Sequence, residues 1–114
     1  MEWNSVSLES ILATVLAVLF AVGGVINLAG RDAVKRDFAR WRYPAWFHLF
    51  CGTLELFSAA LLFGQQTRVF GLALAGAIMI AALFTLLRNR EPFRHLVPAL
   101  VFSALIVVTA TIRG

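Results

Sequence analysis

The sequence predicts an all-α integral membrane protein: a four-helix bundle with a short interfacial amphipathic helix between the first and second spans. Three observations carry that reading. The 114 residues are 61% hydrophobic and 14% charged, where a soluble domain has roughly 45–50% and 25%, and mean hydropathy is +0.85. A globule of this size has too little interior to hide that much apolar surface from water. The apolar residues also fall into four stretches near the ~20 residues that cross a bilayer, with most of the charges gathered between them. Lipid cannot satisfy backbone polar groups, so the stretches are expected to be helices.

The chain reads as one transmembrane domain, residues 1–114. The first span is expected at 11–29, with Ala13, Ala17 and Ala21 at four-residue steps followed by Gly24, a small-residue stripe that lets helix backbones approach. The connector that follows, residues 31–42, places Val34, Phe38 and Trp41 on one helical face, with Asp32, Lys35, Arg36 and Arg40 largely elsewhere. That pattern suits a helix lying in the interface, and Tyr43 and Trp46 around Pro44 extend an aromatic belt there. The second span is expected at 45–63. Gly64 to Arg68 forms a tight turn into a third span at 69–87, whose small residues are Gly71, Ala75 and Gly76. After the short connector Arg88–Arg94, a fourth and shortest span is expected at 96–112, with Pro92 suited to a helix start and Pro98 near its beginning.

Charge sets the expected orientation. Of ten Lys and Arg residues, five lie in the first connector and three in the last, leaving Arg68 and Arg113 for the other side. Eight against two is a positive-inside signal. Both basic connectors are expected in the cytoplasm and both termini outside. The pI near 10.7 therefore points to anionic headgroups and not to nucleic acid. Glu2 and Glu9 stand where a secretory leader would be positive, so no signal peptide is expected. The single cysteine, Cys51, forbids an intrachain disulfide, and no CxxC or paired-His spacing suggests a metal.

One residue stands out chemically. Glu55 is the sole charged residue between Arg42 and Arg68. It lies ten residues past Ala45, so about 15 Å inward, near the bilayer midplane. Ionised carboxyl is expensive there, which makes the position a functional-site candidate. The acid is expected to be mostly protonated and able to donate to a quinone carbonyl, a headgroup or a backbone carbonyl. At its depth the other spans offer one polar partner, Ser103. His48 lies seven residues earlier on the same face, where it could relay protons or cap a wet helix end. Asn27 sits nearer the cytoplasmic edge with His48, in what reads as a polar vestibule leading to Glu55. Hydrolase, phosphate-loop and paired-carboxylate patterns are absent.

Tyr43-Pro44-Ala45-Trp46, then Gly52-Thr53-Leu54-Glu55 and Leu61-Leu62, resemble the DoxX-like family of small four-helix membrane proteins. So does Gly23-Gly24 ahead of Asn27-Leu28. Three positions depart from the family pattern: Asn27 stands where a Lys is often found, Arg42 where a Gly usually precedes the Tyr, and Leu86 near where a His often lies. The family name derives from a subunit of a thiosulfate:quinone oxidoreductase, and other members look like accessory or assembly partners. The resemblance implies an inner-membrane accessory protein that binds a partner protein, a second copy of itself or a lipid-soluble amphiphile such as a quinone, with no cofactor otherwise evident. Two alternatives stay open at this level: a membrane enzyme or redox subunit acting on a lipid-soluble substrate, and a small proton-coupled transporter.

Overall fold

The computed structural model describes residues 5–113; Glu2 and both chain ends lie outside the described residues. Among the described residues the chain forms five helices and no strand. They are α1 (Ser5–Ala29), α2 (Asp32–Arg40), α3 (Phe47–Phe63), α4 (Arg68–Arg88) and α5 (Phe93–Arg113). Three of them, α1, α4 and α5, hold segments long and apolar enough to cross a membrane, and α3 is a shorter apolar helix of 17 residues. The fourth apolar stretch is therefore not the shortest. Helix α5 begins at Phe93, directly after Pro92, and runs through Pro98, whereas Pro44 and the turn at Ala45–Trp46 delay the start of α3.

The long helices close into a ring in which α1 packs on α3 and α5, and α4 on the same two. Their shared core is Leu16, Phe20, Leu62, Met79 and Ile106 with alanines between them, and the rings of Phe20 and Phe102 lie 5.5 Å apart. The outside is apolar too. Val25, Phe57, Phe70, Phe84 and Val107 are each more than half exposed, and Ile80 is 71% exposed. Patches of that extent mark surfaces that meet something other than water.

Local chemistry sets the ends. Helix α2 has Asp32 in its first turn and Arg40 in its last, each favourable to the helix dipole. It stops in a paired turn: Tyr43 N–H donates to Phe38 O and Arg42 N–H to Ala39 O, both at 3.0 Å. Helix α4 stops in the same way, with Glu91 N–H on Leu86 O (3.0 Å) and Arg90 N–H on Leu87 O (3.1 Å). Such a turn needs a left-handed residue, usually glycine. Here Arg42 (φ 65°) and Arg90 (φ 55°) fill that position, at a cost of about 1–2 kcal/mol each. The glycine that the resembled pattern places before the tyrosine would fit this position without strain, and Arg42 takes it here.

At one end of the ring, Glu9 joins three helices. Arg113 donates to its Oε2 at 2.6 Å, and Arg68 lies 3.5 Å from the same oxygen. Arg68 is buried and also donates to Leu62 O at 2.9 Å. The small-residue stripe works as expected on α1, where Ala13 and Ala17 are fully buried, but Gly76 faces open space. Helices α1 and α3 cross closely. A Cβ at Gly52 would lie 2.8 Å from Gly24 O and 3.0 Å from Leu28 N, both backbone atoms that move only with the helix.

Two stability changes follow. Gly52→Ala should push α1 and α3 apart and lower the unfolding free energy by about 1–3 kcal/mol. Arg42→Gly should raise it by about 1 kcal/mol, since relief of the left-handed strain exceeds the added freedom of the unfolded chain. Thermal unfolding in detergent, followed by circular dichroism, reads both; an unshifted midpoint for Gly52→Ala would contradict the backbone contact.

Candidate functional site

The α1–α3 crossing positions the first polar cluster. Glu55 is buried on α3 where it faces Gly23, and a Cβ on Gly23 would come within 2.9 Å of Glu55 Oε2. One turn further along α1, Asn27 donates from Nδ2 to Glu55 Oε1. Asn27 is thus the hydrogen-bond partner of the carboxyl. Its backbone carbonyl meets His48 Nδ1 at 2.8 Å. A carbonyl only accepts, so Nδ1 is the donor of this bond and carries a hydrogen. His48 is buried against Gly30, whose left-handed φ of 60° ends α1.

Three of the four sequence-derived candidates, Glu55, Asn27 and His48, therefore sit together. Ser103 does not join them: its hydroxyl donates to Ala99 O within its own helix, at 2.7 Å. Ser58, one turn past Glu55 on α3, is fully buried, and its Oγ has no hydrogen-bond partner.

Beside this cluster lies a cavity of about 340 Å³ between α3 and α4, within the range of small-ligand sites. Glu55 and Asn27 line its deep end, and Phe38, Trp41, Tyr43 and Phe47 line the other. Along α4 it is walled by small residues, Ala77, Ala81 and Ala82, which is why the space stays open. Cys51 lines it as well. Tyr43 and Phe47 stack at 4.6 Å between centroids, and Phe38 lies 5.5 Å from Trp41. Within the aromatic end, Tyr43 Oη and Thr85 Oγ1 are 2.5 Å apart.

The aromatic wall is held by a residue that sequence reasoning passed over. Glu91, in the connector from α4 to α5, takes four hydrogen bonds. Its Oε2 accepts from Trp41 Nε1 (2.8 Å) and from Arg40 Nε and Nη2 (3.2 and 2.8 Å). Its Oε1 faces His95 Nδ1 at 2.8 Å. The carboxylate side chain is 6% exposed. The Trp41 indole first, then Arg40 and His95, hold its pKa down at about 2, because every partner stabilises the charged form. In return, Glu91 and then Asp37 raise the pKa of Arg40. Helix α2, which has no buried residue of its own, is thereby tied to the far connector. A clue lay in the sequence: Glu91 is the lone acid among Arg88, Arg90 and Arg94, four residues before His95.

The fold and the cluster define a class: an all-helical protein with three helices fit to cross a membrane and a carboxyl set deep in its apolar interior. The chain belongs to the DoxX-like family, whose family model matches residues 11–109. No curated protein and no solved structure matches it.

The clasp on Glu91 should respond to acid. Its folded pKa near 2 lies below the ordinary 4.5, so the stabilisation it lends is complete above about pH 4.5 and is lost as pH falls toward 2. The groups facing it are Arg40, Trp41 and His95, with Asp37 behind Arg40. Trp41 emission should shift over that window in a Trp3→Phe/Trp46→Phe background. Glu91→Leu should give the low-pH spectrum at neutral pH; a spectrum identical to that of Glu91 protein would contradict the clasp.

Proposed function

We propose that this chain is a multi-pass inner-membrane protein with four spans, and that it holds a lipid-soluble amphiphile such as a quinone in the α3–α4 cavity, with Glu55 at the deep end. It acts as an accessory protein that binds and presents that molecule. The observation that carries the reading is the union of a cavity of about 340 Å³ with a buried carboxyl and the partly buried carboxamide bonded to it, inside an otherwise apolar wall. Few convergent polar groups in an apolar pocket are what orients a small apolar ligand. The space is a cleft open at the side of the bundle, where Ala77 and Ala81 are exposed, so a lipid-soluble molecule can enter it from the surrounding apolar phase.

The membrane reading rests on the apolar outer face, on the three long apolar helices and on the family. Helix α3, at 17 residues, is about 25 Å long; the aromatic segment Tyr43–Trp46 completes its crossing from the interface. Helix α2 lies in that interface, with Phe38 and Trp41 turned to the cavity and Arg31, Lys35 and Arg36 exposed. Charge supports the orientation with both basic connectors in the cytoplasm. Arg68 and Arg113, the two basic residues of the opposite end, both spend their charge on Glu9, which sharpens the asymmetry.

Asn27 and Glu55 bind the ligand's polar group, and His48 orients Asn27 through its carbonyl. The test is native mass spectrometry of the protein in nanodiscs with added decylubiquinone. Wild-type protein should hold one molecule. Ala82→Phe, which fills the cavity, should abolish binding, and Glu55→Gln should weaken it about 10-fold, equivalent to about 1.4 kcal/mol. No binding by the wild type, or equal binding by all three, would overturn the reading.

A further inference from the structure

The cavity has a second polar station. Four of the helical threonines follow one habit: Thr14, Thr53, Thr109 and Thr111 each donate to the carbonyl four residues back, at 2.7–2.8 Å. That self-bonding is the default for a threonine inside a helix. Thr85 departs from it. Its hydroxyl turns into the cavity and meets Tyr43 Oη at 2.5 Å, although the residue is only 6% exposed. A threonine in an apolar surround gives up its own carbonyl partner only where something else occupies the hydroxyl.

Counting hydrogens identifies what that is. Tyr43 and Thr85 carry one hydroxyl hydrogen each, and their mutual bond uses one of the two. Whichever group donates, one O–H remains unspent inside the cavity. Trp41 Nε1, the other donor at this end, is already committed to Glu91. Leaving this part-buried donor without an acceptor in an apolar wall costs stability, so the station suits an acceptor oxygen.

Its distance from Glu55 is set by helix register. A Cβ at Gly71 would lie 2.8 Å from Leu62 N, which puts 62 opposite 71 and, in an antiparallel pair, 55 opposite 78. Ile78 and Glu55 do line the same cavity. Thr85 is seven residues further along α4, about 10 Å toward the aromatic end.

We infer that Tyr43 and Thr85 form a specificity-determining pair that donates a hydrogen bond to a carbonyl-type oxygen of the cavity's ligand, about 10 Å from the Glu55–Asn27 pair. The inference rests on the proposed ligand-binding role and adds the ligand's chemistry to it. The ligand is an elongated lipid-soluble molecule with an acceptor oxygen seated between the aromatic rings, in addition to the polar group that meets Glu55 and Asn27. Hydrocarbon without such an oxygen fits the space and leaves the donor unpaired.

The experiment uses two probes that differ at one position, 4′-decylacetophenone and 1-decyl-4-ethylbenzene, added to the full chain in nanodiscs and measured by native mass spectrometry. Wild-type protein should prefer the ketone about 10-fold. Thr85→Val keeps the shape and removes the hydroxyl, and Tyr43→Phe does the same for the phenol. Each should weaken the ketone 5- to 10-fold and leave the ethyl compound unchanged, so that the preference falls to about 2-fold or less. A ketone preference that survives both substitutions overturns the pair while leaving the cavity reading intact, as does equal binding of the two probes by wild-type protein. Absence of binding by either probe overturns the cavity reading and the pair with it. Should Tyr43→Phe disturb folding, as judged by its circular dichroism melt, Thr85→Val alone decides.

Discussion

The backbone-to-backbone crossing of α1 and α3 at Gly24 and Gly52 is the constraint on which the candidate site depends. Each glycine faces the other's carbonyl, with no room for a methyl group. Because the helices touch there, residues on either side of the crossing are brought within hydrogen-bond reach: Asn27 with Glu55, and the Asn27 carbonyl with His48. Without it the Glu55 carboxyl would sit in an apolar interior with no partner, the arrangement that low-dielectric surroundings penalise most. Packing and polar chemistry are therefore one feature here. The small residues that allow close approach are what make the buried acid affordable.

The opposite relation holds between α3 and α4. At their turn Gly71 lies against the backbone of Leu62, and at the far end the same two helices are separated by the cavity. Alanines at 77, 81 and 82 are too short to bridge it, and large rings from Phe38, Trp41 and Tyr43 close it from outside the four-helix ring. Of these rings only Phe38 lies on α2, a helix with no buried residue; Trp41 and Tyr43 follow it in the connector, and Glu91 holds Trp41 in place. Two left-handed arginines bracket that contact, Arg42 one residue after Trp41 and Arg90 one residue before Glu91. Both connectors bend sharply at the point where they meet.

Much of the helical content was legible in the sequence, for reasons that can be named. Long apolar runs leave little choice but helix, and Gly30, Pro44, Gly64 and Pro92 punctuate them. The period of Val34, Phe38 and Trp41 announced α2. Glu55 was conspicuous as the lone charge in its run. Its partner was not, because depth counted along separate helices placed Asn27 near the surface and Ser103 at the right level. Depth ignores azimuth: Ser103 lies on α5, which packs on α1 and α4 and not on α3, while α1 turns Asn27 directly onto the carboxyl. The role of Glu91 was hidden for a related reason. Its partners Arg40 and Trp41 are about fifty residues away, and nothing in local spacing signals a contact between two connectors.

The same geometry explains the family position that this chain fills with Asn27 in place of the more usual Lys. An ammonium at that point would face Glu55 as a buried ion pair, which gains little net stability because both charges must be stripped of water. A carboxamide offers two N–H donors and one acceptor without bringing a charge. One donor is used on Glu55 Oε1; the second, together with the side-chain oxygen, leaves the pair able to bond a neutral polar group. A lysine there would bring a charge that the carboxamide does not. With asparagine, the deep end of the proposed ligand site offers a carboxamide beside the carboxyl, within a cavity walled by alanine and aromatic rings.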